Sequence, residues 1–382
     1  MIKINKFTYC TNLIKFKVIN YSTIVNSNVI KPNKKKIFVS NLTSPHWNLS
    51  IEEWLFRKNK DISHIGYFYR NEPCVVIGRN QNPFKECNLE QMVTDSITLI
   101  RRNSGGGAVY HDYGNSNYCI MVPREEFKRE TNSKLVSDTL NKLGCPTYLT
   151  PRNDIAVNGS KISGSAYKIA GEKAYHHGTM LLGSDLSKLM KYLTTNRINM
   201  TVSKGIESVR SNVINLNSFN QNLDHKLFWG SVAKSFDNHY LPNQIAEIEI
   251  LDEEFCKNNE FIVESYNKLK SWDWTYGQTP EFKQKINLNF KNSDKLELDL
   301  ICKNSIIKEF KLSNDDDEIS KHFDNILYSI NAHLKGTKYD PLSLKHQLNS
   351  KVLNDPIFEK PDSYSGNPLE WIDLMRQIVN QM

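Results

Sequence analysis

Two stretches combine residue types that could do chemistry. The first is RRNSGGGAVYHDYGNSN, Arg101 to Asn117, in which three consecutive glycines separate two apolar runs. Successive glycines allow positive φ and let neighbouring N–H groups face one concavity, a nest that binds phosphate or carboxylate. Such a run alone fits a flexible loop or a tight turn equally well, and it matches neither G-x-x-x-x-G-K-[ST] nor G-x-G-x-x-G. The preceding Arg101-Arg102 and the following Tyr110-His111-Asp112 favour the anion site. Neighbours on an extended segment point to opposite faces, so one of the two arginines faces a ligand, and the alternation does not say which.

The second stretch is RNDIAVNGSKISG, Arg152 to Gly164. Asn-Gly between apolar runs is a strong hairpin signal. With Asn158-Gly159 as the two-residue turn, Ala156 faces Lys161 and Asp154 faces Ser163. Asp154, Ala156, Lys161 and Ser163 then share one face, with Asp154 and Lys161 as diagonal neighbours. A lysine so placed can neutralise a carboxylate and a phosphate, and the aspartate can hold the lysine or a Mg²⁺ ion. Gly164 would let a ligand lie against the strand. Taken alone, the same pair is an ordinary surface ion pair on a hairpin, worth little. His176 and His177 are adjacent on a strand and cannot both point inward, so they are not a two-histidine metal pair; one of them can line a site. No H-E-x-x-H, G-x-S-x-G or Cys–His signature occurs.

The elements that must position these residues follow from periodicity and turn residues. Strands are expected at IFVSN, GYFYR (66–70), CVVIG (74–78), ITLIR (97–101), YCIMV (118–122) and AYHHGTMLL (174–182). Ser50-x-x-Glu53 reads as a capping box opening a helix, Asn132 as the cap of a helix to Leu143, and Ser184 as the start of one to about Leu193. Further helices are expected near 225–240 and 258–270. After Pro280, KINLNF, LELDLIC and IIKEFKL form a three-strand meander, followed by helices near 318–335, 342–350 and 368–380. That closing part reads as a separate small α+β unit.

The chain has 382 residues, room for two domains, and a net charge of +7. Residues 1–36 hold eight lysines and no acidic residue, so the body is near neutral. A near-neutral body argues against nucleic-acid binding. No apolar run approaches the roughly 18–20 residues of a membrane span. The acid-free first segment has the make-up of an organelle transit peptide, atypical in using only lysine for its basic residues. Seven scattered cysteines without C-x-x-C point to a reducing interior, with neither a disulfide framework nor a structural zinc site.

Several stretches in order resemble the lipoate–protein ligases and mitochondrial lipoyltransferases: GRNQNPFKECN (78–88), RRNSGGGAVYHD (101–112), RNDIAVNGSKISGSAYK (152–168), HHGTMLL (176–182), KGIESVRSNVINL (204–216) and SWDWTYGQTPEF (271–282). The resemblance implies an α+β fold: a mixed-sheet catalytic domain similar to class II aminoacyl-tRNA synthetases and biotin ligases, plus a small C-terminal α+β accessory domain. The corresponding division is a mitochondrial transit peptide over 1–36, a catalytic domain over 37–282 and an accessory domain over 283–382. The implied reaction uses ATP and Mg²⁺ to turn lipoate into lipoyl-adenylate. The lipoyl group then passes to one lysine of a lipoyl domain, in the acyltransferase subunits of 2-oxo acid dehydrogenases or the glycine-cleavage H protein. The implied place is the mitochondrial matrix, and nothing in the sequence demands an oligomer, so a monomer is expected.

By matching position, Arg102 contacts the nucleotide, and Gly107, Ala108, Val109 and Tyr110 form a backbone wall around the adenylate and the lipoyl group. Ser104, Gly105, Gly106 and His111 of the same motif, with Gly164 and His177, complete the expected ATP and lipoyl-adenylate site. Lys161 touches the activated carboxyl and the α-phosphate, with Asp154 beside it as the candidate metal ligand; these two are the expected catalytic residues. The segment from about Leu193 to Val213 resembles a loop that closes over the adenylate. An acyl-adenylate needs charge stabilisation and exclusion of water rather than an enzyme nucleophile. Two departures point elsewhere: Asn103 stands where bacterial ligases often have Ser, and the turn between Val157 and Lys161 is short, more like animal lipoyltransferases. An ATP-independent lipoyl amidotransferase, using a pre-activated or protein-carried lipoyl group, is therefore the alternative. A thioester-forming octanoyltransferase would need a pocket cysteine, for which Cys145 lies nearest in sequence to the lysine motif.

Overall fold

The computed structural model describes residues 34–194, 200–290, 295–313, 317–350 and 356–382. The leader assigned to 1–36 lies almost wholly outside the described residues. Each of the two compact units is assembled from several segments. One contains the described residues up to Asn71 together with Gly114–Gly183 and Ile214–Val263; the other contains Glu72–Tyr113, Ser184–Val213 and Glu264–Met382.

The first unit is organised by a six-stranded mixed sheet. Its order is Ser165–Ala170, Lys173–Leu181, Asn115–Pro123, His64–Tyr69, Lys35–Ser40, Glu247–Leu251. Strand 35–40 pairs in parallel with 64–69 and 247–251, and the remaining pairs are antiparallel. Strand alternation sorts side chains into two cores. Ile37, Val39, Phe68, Tyr118, Ile120 and Val122 pack with Val136 and Leu140 of helix Arg129–Lys142 and with Phe228, Val232 and Phe236 of helix His225–His239. Phe38, Tyr67, Tyr69, Cys119, Met121 and Tyr175 pack with Ile51, Leu55 and Phe56 of helix Pro45–Lys58. A small sheet of Tyr148–Leu149, Ile155–Val157 and Ser160–Lys161 completes the unit.

The second unit has one core and two sheets. Cys74–Ile77 lies between Thr98–Arg101 and Val109–His111. The meander Phe282–Asn289, Lys295–Lys303, Ile306–Leu312 gains a fourth, edge strand, Met200–Ser203, paired with 282–284. Met200 brings no long apolar run with it, which is why periodicity passes over that strand. Helices Asp317–Leu334, Pro341–Ser350 and Pro368–Gln381 follow the meander, and the last carries a complete capping box at Asn367 and Glu370.

Three helix starts differ from the sequence expectation. Helix 45–58 begins with Ser44 in the cap position and Pro45 at the first turn, so Ser50 and Glu53 lie inside it. Proline suits a first turn that needs no N–H, and here Pro45 outranks the box that opens at Ser50. Helix 129–142 starts before Asn132, whose buried side chain instead accepts a hydrogen bond from the Tyr240 hydroxyl at 2.5 Å. The cap of helix Leu186–Leu193 is Asp185 rather than Ser184, accepting from the Ser187 and Lys188 N–H groups at 3.0 and 3.1 Å.

Candidate active site

In the second unit the two arginines divide their work, and neither is free. Arg101 is fully buried. Its guanidinium donates to the carbonyls of Gln81 at 2.7 Å, Arg79 at 3.1 Å, Trp274 at 3.1 Å and Thr275 at 2.7 Å, and to Thr279 Oγ1 at 3.1 Å. The Trp274 indole N–H returns a bond to the Arg101 carbonyl at 2.7 Å. The aromatic motif at 271–279 thus wraps a buried cation with backbone oxygens. Burial, then the nearby Arg79 charge, lowers the Arg101 pKa to about 10, so it stays charged at neutral pH.

Arg102 grips the glycine segment itself. It donates to Ser104 Oγ at 2.9 Å, to the Gly105 carbonyl at 2.6 Å, to the Gly107 carbonyl at 2.8 Å and to the Val76 carbonyl at 3.2 Å. The peptide bonds here are trans. A trans peptide sets C=O and the following N–H antiparallel, so the Gly106 and Ala108 N–H groups point away from Arg102. The Ala108 N–H is taken by Ser208 Oγ at 2.9 Å, and of the two the Gly106 N–H keeps the polarity of an anion nest.

Each glycine has its own reason. Gly106 holds φ +89°. A Cβ on Gly107 would come within 3.1–3.3 Å of Ser208, whereas one on Gly105 would meet nothing within 4 Å. The tightest approach is outside the triplet: a Cβ on Gly78 would lie 2.0 Å from the Gly106 carbonyl oxygen. Gly106 thus answers to backbone conformation and Gly107 to packing against Ser208, whereas a side chain on Gly105 would meet open space. Val109–His111 continues as a strand against 74–76, sending the Tyr110 ring into the core beside Tyr192, centroids 5.5 Å apart. Burial and then Asp112 push the Tyr110 phenol up. Asp112 itself accepts the Asp185 N–H at 2.8 Å.

The segment after strand 200–203 lies on this loop. The Ile206 N–H donates to the Asn80 carbonyl at 3.0 Å, Lys85 pairs with Glu207, and Ser208 Oγ accepts from the Ala108 N–H at 2.9 Å and from Gln81 Nε2 at 3.0 Å. Residues 195–199 of the expected closing loop lie outside the described residues.

In the first unit the Asn158-Gly159 hairpin has the expected register, Ala156 opposite Lys161 and Val157 opposite Ser160. Asn158 and Gly159 both take positive φ, 48° and 76°, as a primed two-residue turn requires. Asp154 and Lys161 meet at 2.7 Å with 23% and 25% of their side chains exposed. A turn over Thr150–Asn153 sets the aspartate: the Asp154 N–H donates to Thr150 Oγ1 at 3.1 Å and the Thr150 N–H to the Asp154 carbonyl at 2.9 Å. Gly164 is held to the sheet by its N–H to Thr179 Oγ1 at 2.8 Å and its carbonyl to the Thr179 N–H at 2.9 Å.

His177 pairs through Nδ1 with Glu52 at 2.9 Å, and both are buried. Burial alone would raise the Glu52 pKa, but the His177 and Lys168 charges and hydrogen bonds hold it below the ordinary glutamate value. His176, the other of the pair, is buried as a neutral base, its pKa pushed down to about 3 by burial and then by His177. Cys145 is fully buried and burial raises its thiol, so no activated nucleophile stands there. Among the described residues no cluster of three or more His, Cys, Asp or Glu could hold a metal.

The structure therefore brings Arg102, Ser104–Tyr110 and the previously unmarked Gly78, Gln81 and Ser208 together in one unit. It brings Asp154 and Lys161 together, and His177 with Glu52, in the other. Glu52 was findable: it lies four residues after Asn48 and four before Phe56 on the buried stripe of helix 45–58. Gly78 and Gln81 meet across three residues, but Ser208 reaches Gln81 and Ala108 across 127 and 100 residues, a distance that no local pattern reports.

The fold is of the mixed-sheet α+β class, with a glycine segment in one unit and a partly exposed Lys–Asp pair in the other. The chain matches the model of the lipoyl protein ligase A/B catalytic domain over residues 44–237. It is 35% identical to the lipoate-protein ligase A of Psychrobacter cryohalolentis, across 83% of this chain and 91% of that protein. It is also similar to the crystal structure of P. falciparum LipL1 in complex with lipoate, at TM-score 0.57 and 29% identity over 91% of this chain and 99% of that one. A lipoate-protein ligase A crystallised with ATP, 22% identical, shares the fold at TM-score 0.52 over 63% of this chain and 98% of that one. The chain belongs to the lipoyl protein ligase A/B catalytic-domain family, and it is a ligase.

Proposed function

We propose that this enzyme activates lipoate with ATP and attaches the lipoyl group to a lysine of lipoyl domains. The carboxylate of lipoate attacks the α-phosphorus, forming the acyl–phosphate bond and releasing pyrophosphate. The neutral amine of the acceptor lysine then attacks the acyl carbon, the amide forms, the amine's proton is lost, and AMP leaves. The observation that carries the reading is the 2.7 Å Lys161–Asp154 pair, held in a fixed register yet one quarter exposed. Its ammonium can exchange part of its partner carboxylate for an acyl-phosphate oxygen at small cost, because a partly exposed pair contributes only about 0–1 kcal/mol.

Mg²⁺ fits this donor set as an ion carried mainly by the nucleotide's phosphates. Asp154 is the candidate protein ligand, since Mg²⁺ keeps several waters and takes only one or two carboxylates. When bound it would neutralise phosphate charge.

The acceptors in this reading are the lipoyl domains of 2-oxo acid dehydrogenase complexes and the glycine-cleavage H protein. The place is the mitochondrial matrix, which imaging of the full chain with a C-terminal fluorescent tag would test. The deciding experiment is lipoate-dependent ATP–pyrophosphate exchange. Exchange supports the reading; no exchange, with transfer from synthetic lipoyl-AMP intact, leaves the ATP-independent amidotransferase. The observation favouring that second reading is the minimal two-residue turn at 158–159, resembling the lipoyltransferases.

A further inference from the structure

By composition Lys34, Lys35 and Lys36 are the last three of the eight lysines in the acid-free first segment. The fold uses them differently. Lys35 and Lys36 open strand 35–40, which lies between two neighbours in the six-stranded sheet, and both side chains are buried. The Lys35 ammonium meets Asp237 Oδ1 at 2.7 Å and donates to the Tyr240 carbonyl at 2.9 Å and to the Asp237 carbonyl. Those carbonyls stand at the end of helix 225–239, where intrahelical donors run out and the dipole is negative. Lys35 therefore caps that helix from a distant part of the chain. Asp237 also accepts the Ala246 N–H at 2.8 Å, just ahead of strand 247–251. Lys36 reaches that strand directly, 2.7 Å from Glu249 and 3.8 Å from Glu247. Lys34 is exposed, yet its backbone is committed: its carbonyl accepts from the Ser63 N–H at 2.9 Å, the His64 N–H at 3.2 Å and the Ser63 hydroxyl at 3.0 Å.

We infer that the folded body begins at Lys34 and that the leader is removed at a processing site N-terminal to it, so that the mature chain keeps all three lysines. The cut is a hydrolysis by a processing peptidase: water adds across one peptide bond, leaving a carboxylate on the leader and a new amino terminus on the body. Chain ends tolerate cutting where their backbone is neither buried nor hydrogen-bonded, and Lys34 to Lys36 fail both conditions. A cut after Lys36 would strip the helix of its cap, leave Asp237 without its cation and take the acceptor from two N–H groups. The cut rests on the mitochondrial reading above; the place where the fold begins does not.

Two measurements on the full chain test this. In the first, the purified protein is digested with trypsin under native conditions and the fragments are weighed by mass spectrometry. Trypsin cuts after lysine, so each of the three residues offers it a bond, and all three bonds should stay intact. A stable core beginning at Ile37 would overturn the inference. Lys35→Met should speed cutting after Lys36 by roughly tenfold or more, the scale of losing hydrogen bonds to a charged group that hold a local segment closed. Lys34→Met should leave that rate unchanged. Asp237→Asn removes the partner instead of the lysine and should speed cutting as well, so the test holds even where Lys35→Met does not fold. Wild-type rates in both variants would show that the ammonium does not hold the strand and would overturn its role. In the second measurement, the chain with a C-terminal tag is recovered from cells and its first residue is sequenced. A new amino terminus no later than Lys34 supports the inference, and one at Lys35 or beyond overturns it. A chain that keeps Met1 removes the cut and the mitochondrial reading together, whereas a wild-type core starting at Ile37 removes the boundary alone.

Discussion

Arg101 and Lys161 are both cations in the two stretches that could do chemistry, and the two regions treat them in opposite ways. Around Arg101 the protein supplies carbonyls from Gln81, Arg79, Trp274 and Thr275, and the side chain is sealed. Around Lys161 it supplies one carboxylate at 2.7 Å and leaves a quarter of the side chain in solvent. A sealed cation satisfied by the backbone ties distant segments together and has nothing left to offer a substrate. A cation with one exchangeable partner contributes little to folding and can change partners. The difference marks a structural cation in one unit and, on the function proposed above, a working one in the other.

The sharpest way to break this comparison is to remove each cation and see which property fails. Lys161→Ala should lower lipoyl transfer to a lipoyl-domain acceptor by about a hundredfold or more, with charge stabilisation at the acyl phosphate gone. Its melting temperature should barely move, because an exposed pair contributes about 1 kcal/mol at most. Transfer within a few-fold of wild type, followed by mass spectrometry of the acceptor, would dismiss Lys161 from the chemistry. Arg101→Met should do the reverse and destabilise the chain by about 3 kcal/mol or more, since several buried carbonyls lose their donor together. Urea unfolding reads this, and an unchanged midpoint would show that the carbonyls find other donors.

A smaller effect separates the glycines. Gly78→Ala places a methyl group where the Gly106 oxygen stands, 2.0 Å from the ideal Cβ. Backbone must move, at a cost of about 1–3 kcal/mol, and the nest moves with it, so stability and transfer should fall together. Gly105→Ala meets nothing within 4 Å and should leave stability nearly unchanged. If its transfer activity drops all the same, the open space beside Gly105 is where the ligand goes.

The hairpin was legible in the sequence down to its register, and the reason is physical. Turn chemistry and strand alternation are local, and Asn158-Gly159 determines both within ten residues. The glycine segment was legible only as a special place. Which arginine supports it depends on carbonyls from residues 76–107 and 274–275, and alternation holds no information about those. The capping signals at Ser50 and Asn132 were local too, yet they misled. Pro45 starts the first helix earlier, and a partner more than a hundred residues away, Tyr240, gives Asn132 a buried use. Edge strand 200–203 was missed for a related reason: it is held by pairing with 282–284 and by Met200 in the core, not by an apolar period of its own.

The smallest effect extends the comparison to a third buried base, His176. Arg101 keeps its charge when buried because carbonyls surround it; His176 has no such ring. Its Nδ1 makes no hydrogen bond among the described residues and its Nε2 meets the Tyr118 hydroxyl at a long 3.4 Å, so the imidazole is buried neutral, with a pKa of about 3. In the unfolded chain it titrates near 6.5, the ordinary histidine value. A folded pKa below the unfolded one means that the unfolded state binds the proton first. Stability from this group is therefore complete above about pH 6.5 and declines as pH falls toward 3. At pH 5 the loss is about 2 kcal/mol, from a gap of some 1.5 pH units below the unfolded pKa. His176→Gln cannot titrate, so its unfolding free energy should change by about 2 kcal/mol less than wild type between pH 7 and pH 5. Parallel curves for the two proteins would mean that His176 takes its proton inside the fold as well. Burial without a ring of acceptors would then not be enough to strip a base of its charge, and the contrast with Arg101 would lose its cause.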